Sequence, residues 1–104
     1  MPSATNPLDV QLALGAGVGN GAWLVPVPVN GLGTMRLAVW GTWTGGAVAK
    51  LQISPDGGTT GIDYPGASFT ADGLTQVFLG QYDKVRLVVT GGTPSINATL
   101  CPVV

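Results

Sequence analysis

The chain has 104 residues, a formal net charge of −1 and only 9% charged side chains, against roughly 25% in an ordinary soluble domain. That length supports one domain with a single modest core. The near-neutral charge supplies no basic face for nucleic acid, and no run of 18 apolar residues is present to cross a membrane as a helix.

All five acids are aspartates (Asp9, Asp56, Asp63, Asp72 and Asp83) and Glu is absent, while glycine (17) and proline (8) are abundant. Asp favours turns and caps, whereas Glu favours helices. With 45% hydrophobic residues alongside them, the glycines and prolines read as punctuation between strands. Cys101 is the sole cysteine, so the fold is held by packing and not by an internal disulfide. A weakly charged, apolar surface suits a chain that lives inside an assembly.

Residues 1–7, MPSATNP, read as an extended N-terminal arm, with the remaining 8–104 forming one domain. The start lacks the cationic and apolar segments of a secretory signal. Val10, Leu12 and Leu14 alternate with Gln11 and Ala13, which predicts a first strand over 8–14. Gly15, Gly17, Gly19 and Gly21 follow. A dinucleotide loop would need a helix next, and the succeeding Trp23–Val29 segment, with Pro26 and Pro28, cannot form one. Those prolines remove donors from one side of a strand, which predicts a sheet edge or a bulge with Val25, Val27 and Val29 facing inward.

Asn30-Gly31 signals a tight turn before a strand over 34–43, where Met35, Leu37 and Val39 share one phase. Gly41 within it predicts a bulge or a close backbone approach. Thr44-Gly45-Gly46 then predicts a turn that makes 35–43 and 47–54 antiparallel neighbours. In 47–54, Val48, Leu51 and Ile53 supply the apolar content, and Lys50, Gln52 and Ser54 share the other phase, with Arg36 in the same outward class. Pro55-Asp56-Gly57-Gly58 is the strongest hairpin signal in the chain. Ile62–Tyr64 is a short strand broken by Pro65-Gly66, and 67–70 and 74–79 flank Asp72-Gly73 as a small hairpin. Val85, Leu87 and Val89 alternate in 85–90, and Ile96, Ala98 and Leu100 point inward in a last strand over 96–103. About eight strands without a helical period predict an all-β antiparallel sandwich, jelly-roll-like, with an immunoglobulin-like sandwich as the alternative.

Catalytic chemistry finds little to work with. The chain has no histidine, and Cys101 would need a base from outside it. Most of the aspartates sit in turn signals. Asp56, Asp63 and Asp72 would have to meet at one end of the sandwich to hold calcium, and their spacing is not that of an EF-hand; zinc lacks its usual ligands. No catalytic, metal or cofactor site is therefore assigned. Trp23, Trp40 and Trp43 suit core packing, a subunit interface or stacking on sugar rings. Arg36 and Arg86, with Lys50, mark either a contact face or the solvated phase of a sheet. Trp23, Trp40, Trp43, Arg36 and Arg86 form the candidate interface set.

Two segments carry a family resemblance. Gly46–Thr60, GAVAKLQISPDGGTT, and Tyr82–Thr93, YDKVRLVVTGGT, resemble small virion proteins of tailed bacteriophages, in which a G-A-x-V-x-L-Q-x-S-x-D-G-G-T-T hairpin precedes a Y-V-R-x-V-V-T-G-G-T strand. The likeness runs discontinuously from Arg36 to Leu100. It departs at Gly61, where an aromatic often stands, and at the extra Asp83-Lys84. The resemblance implies a non-enzymatic binding role. Its leading form is a capsid decoration (cement) protein, a homotrimer on the outer head surface that contacts the major capsid protein and copies of itself. Such a protein is made in the host bacterial cytoplasm and ends in the virion. A carbohydrate-binding or adaptor domain on a tail or fibre is the alternative.

Overall fold

A computed structural model describes residues 10–26, 34–79 and 84–102. The expected arm, Val27, Val29, the Asn30-Gly31 turn and Tyr82-Asp83 lie outside the described residues. Among the described residues there are eight strands: β1 (Val10–Ala16), β2 (Gly19–Asn20), β3 (Thr34–Thr42), β4 (Val48–Ser54), β5 (Ile62–Phe69), β6 (Gly73–Phe78), β7 (Lys84–Thr90) and β8 (Ser95–Pro102). They form two four-stranded antiparallel sheets, sheet A in the order β1-β8-β3-β6 and sheet B in the order β2-β7-β4-β5.

This is a jelly roll. β1 pairs with β8, β2 with β7, β3 with β6 and β4 with β5, as though one long hairpin had been wrapped into a sandwich. Only the β4–β5 connection stays within a sheet; every other connection crosses to the opposite one. Pro55-Asp56-Gly57-Gly58, the strongest turn signal in the chain, thus lies at the closed tip of that hairpin.

Two expected hairpins are corrected by this topology. β3 and β4 lie in different sheets, because Thr44-Gly45-Gly46 turns a corner and docks on the β7–β8 turn, where the Thr93 N–H donates to the Thr44 carbonyl (3.0 Å). β5 and β6 likewise part company at Asp72-Gly73, β6 joining β3 instead. Pro65-Gly66 does not break β5. It lies inside a wide irregularity, since Lys50 pairs with Ser68 and Gln52 with Asp63.

The core lies between the sheets. Met35, Leu37 and Val39 of β3, Val85, Leu87 and Val89 of β7, and Ile96, Ala98 and Leu100 of β8 are buried in the phases that alternation predicts. In β4 the inner set is Ala49, Leu51 and Ile53, so Val48 belongs to the outer phase. Ser54 is fully buried despite its phase, because the hairpin tip folds over it. In β1 a bulge intervenes: Gln11 pairs with Thr99 and Ala13 with Ala98. The extra residue buries Leu12 and Ala13 side by side and turns Leu14 out to solvent.

The edge expectation for Trp23–Val29 holds where it is described. Leu24 exchanges both backbone hydrogen bonds with Val85 at 2.8 Å, on the outer side of β7. Leu24 packs on the core and Pro26 is buried, while Val25 is exposed, so the inward phase is the one opposite to that expected.

Gly41 has φ +148°, and a Cβ there would sit 2.1 Å from the Ser95 carbonyl oxygen. That is the close approach anticipated for it, made by β8 lying against β3.

Candidate functional site: two unlike sheet faces

The two outer faces differ in chemistry. On sheet B, Lys50 and Gln52 of β4, Arg86 of β7 and Asp63 of β5 share one face through the pairs Gln52–Arg86 and Gln52–Asp63. They form a ladder: the Arg86 Nε donates to Gln52 Oε1 (3.0 Å), Gln52 Nε2 donates to Asp63 Oδ1 (2.8 Å), and Lys50 Nζ lies 3.5 Å from Asp63 Oδ2. The Gln52 hydrogen bond, followed by the Lys50 charge, holds the Asp63 carboxyl below the usual range. The Arg86 guanidinium stacks 4.3 Å over the Trp23 ring, a cation–π contact. The charged and amide groups of this face satisfy one another, with the half-buried Val48 and Val88 beside them in the same phase.

Sheet A presents the opposite. Registers Arg36–Gln76, Ala38–Leu74 and Trp40–Asn97 put Arg36, Ala38 and Trp40 on the same outer face as Leu74, Gln76 and Phe78 of β6 and Asn97 and Thr99 of β8. Leu14 joins them from β1, beside Asn97, whose Oδ1 accepts from the Gly15 N–H (3.0 Å). Leu14 is 78% exposed, Leu74 66%, Phe78 61% and Trp40 43%. Arg36 is the single charge among them. These four exposed apolar side chains are spread over three strands of the face, with Asn97 and Gln76 between them.

The five candidate interface residues therefore do not form one surface. Arg36 and Trp40 share the apolar face of sheet A; Trp23 and Arg86 are stacked on each other on sheet B. Arg36 is accordingly not on the face of Lys50 and Gln52. Trp43 packs partly on the core at the end of β3, and its Nε1 donates to Asp72 Oδ1 (2.8 Å). Leu14, Leu74 and Phe78 escaped the sequence reading. A signal for β6 was present: in 74–79 both phases are apolar, Leu74 and Phe78 in one, Val77 and Leu79 in the other, as in a strand covered on both faces.

The three aspartates considered for calcium sit apart, each in its own set of hydrogen bonds. Asp56 Oδ1 accepts from Ser54 Oγ (2.8 Å) and from the N–H groups of Thr59 (3.1 Å) and Thr60 (2.8 Å), while the Gly58 N–H donates to Ser54 Oγ (2.7 Å). These bonds, those from Thr60 foremost, lower the Asp56 carboxyl from 3.8 to about 2. Asp72 accepts from Trp43 and from the Gly41 N–H (3.0 Å), which lower it too. Asp63 belongs to the sheet B ladder. Among the described residues no group of three acidic or cysteine side chains gathers as a metal site. A crevice of about 140 Å³ opens where β1 crosses to β2, lined by Leu12, Ala13, Val18, Leu87 and Val89 with glycine backbone and Asn20. Its walls carry no titratable side chain.

No protein-family model, curated protein or solved structure matches this chain.

Proposed function

We propose that this domain is a capsid decoration protein of a tailed bacteriophage, which binds the outer surface of the head through the outer face of sheet A and bridges neighbouring major capsid subunits. The observation that carries the reading is that face, with Leu14, Trp40, Leu74 and Phe78 exposed around a single charge, Arg36. Aromatic side chains and arginine are enriched in protein interfaces, and Trp40, Phe78 and Arg36 supply them here, with Leu14 and Leu74 adding apolar area. The resemblance of Gly46–Thr60 and Tyr82–Thr93 to phage virion proteins supports the choice of partner. Many weak copies clamped across subunit junctions resist internal pressure by multivalency, without any single strong bond.

The test is co-sedimentation of the purified chain with expanded heads that lack it. Saturable binding is expected, with heat and pressure resistance restored. Trp40→Ala and Leu14→Ser should each weaken binding tenfold or more, while Lys50→Ala on sheet B should not. Absence of binding, or full resistance in heads without the protein, would overturn the proposal.

The half-exposed Trp40 ring beside Asn97 favours a second reading, a sugar-stacking domain on a tail or fibre. A glycan array separates the two: specific glycan retention lost in Trp40→Ala would support the second.

A further inference from the structure

Among the described residues β6 is an edge strand whose open side is capped at one point only, by the Tyr64 hydroxyl. Its six residues, Gly73–Phe78, include no charge and no proline, and its register with β3 runs from Val39–Gly73 to Thr34–Phe78 without a bulge. Natural edges of this kind are ordinarily blunted by charges, prolines or bulges, because their unpaired N–H and C=O groups template another strand. The hydrogen-bonding direction is fixed by one contact. The Phe78 N–H donates to the Tyr64 hydroxyl (2.9 Å), so it points away from β3. By alternation the backbone groups of Leu74 and Gln76 also face the open edge. Among the described residues nothing pairs with them.

We propose that β6 pairs antiparallel with β6 of a second copy of this chain, joining the two A sheets into one continuous sheet. The register that uses only unpaired groups sets Leu74 opposite Gln76 of the second copy and Gln76 opposite its Leu74, each exchanging N–H and C=O bonds. The Tyr64 hydroxyl already takes the Phe78 N–H, so the ladder is limited to Leu74 and Gln76. In this register Leu74 lies diagonal to Leu74 and Phe78 of the second copy, within reach for apolar contact. The register argues for a second copy: the unpaired groups of Leu74 and Gln76 are complementary to themselves in an antiparallel pair, and an uncharged strand meeting itself opposes no like charges.

The contact is isologous, so it builds a two-fold dimer and not the trimer that the resemblance implies. Two pairs of mutually bonded residues make a small contact, at the low end for specific interfaces, so a reversible dimer with a concentration-dependent mass is expected. Both outer faces lie on the same side of the joined sheet, so Leu14 and Trp40 of the two copies stay exposed on one side while Leu74 and Phe78 are partly covered at the seam. The inference does not depend on capsid binding, since it is tested on the free protein.

The experiment is sedimentation equilibrium across a concentration series, with amide exchange followed by NMR. The mass is expected to rise from the 10.5 kDa of one chain to twice that, with exchange at Leu74 and Gln76 slowing as it rises. Gln76→Pro removes an edge-facing donor that β3 does not use. It should remain a single chain at every concentration with an unchanged far-UV spectrum. Leu74→Lys should weaken association at least tenfold, and it decides alone if Gln76→Pro fails to fold. A wild-type chain that stays monomeric throughout, a three-chain mass, or variants that associate like the wild type would overturn the proposal.

Discussion

Gly41→Ala tests the packing of β3 against β8 most directly. The residue has φ +148°, and its missing Cβ would lie 2.1 Å from the Ser95 carbonyl oxygen and 3.1 Å from the Ile96 Cα. Both obstacles are backbone in a paired strand, so neither can swing aside as a long side chain would. Gly46→Ala supplies the scale: φ there is +79° but nothing stands within 4 Å of the added carbon, so it carries conformational strain alone, about 1 kcal/mol. At Gly41 comparable strain adds to the displacement of β8, and the Gly41 N–H bond to Asp72 resists relaxation. A loss of about 3 kcal/mol is expected. For a domain of this size that lowers Tm by roughly 12–24 °C. Urea unfolding followed by tryptophan fluorescence reads both variants, with an unchanged m-value confirming that stability alone has moved. The reasoning fails if Gly41→Ala is no less stable than Gly46→Ala.

Three further outcomes are expected. Leu51→Ala empties a fully buried position of β4 facing Leu87 across the register and should cost about 2–5 kcal/mol, measured as a fall in urea midpoint; a loss below that of Gly46→Ala would contradict the core assignment. Acid should loosen the hairpin tip: Asp56 titrates near 2 when folded, below its ordinary 3.8, so its stabilisation is complete above about 4 and fades as pH falls toward 2. Asp63 and Asp72 shift in the same direction. In Asp56→Asn the urea midpoint should fall less between pH 4.5 and 2 than in the wild type, and equal slopes would remove Asp56 from the account. Arg86→Ala uncovers the Trp23 ring; a red-shifted emission and a loss of about 0.5–1 kcal/mol are expected, and an unmoved spectrum would show that the stacking does not persist in solution.

The contrast between the faces follows from how each sheet satisfies its polar groups. On sheet B, Arg86, Gln52, Asp63 and Lys50 neutralise and bond one another, though such exposed pairs add little stability. On sheet A, apart from Arg36, the outer residues are apolar or uncharged polar, and burial of that surface would be favourable wherever a partner offers a matching one.

The sequence by itself determined the inner phases of β3, β7 and β8, because alternation is a local property and Met35–Leu37–Val39 or Ile96–Ala98–Leu100 can face a core in only one way. It also determined the turn at Pro55-Asp56-Gly57-Gly58, where Asp56 and the preceding Ser54 bond their own backbone neighbourhood. Pairing was decided by the tertiary structure alone. Thr44-Gly45-Gly46 and Asp72-Gly73 carry the same turn chemistry as a hairpin, yet both cross between sheets, since a glycine turn reverses direction without specifying which strand lies beside the next. β3 finds β8 and β6, and β4 finds β7 and β5, because that arrangement closes both inner faces over one core. The same closure sets the β1 bulge that exposes Leu14, and it brings Leu14, Trp40, Leu74 and Phe78 from three distant segments onto one face.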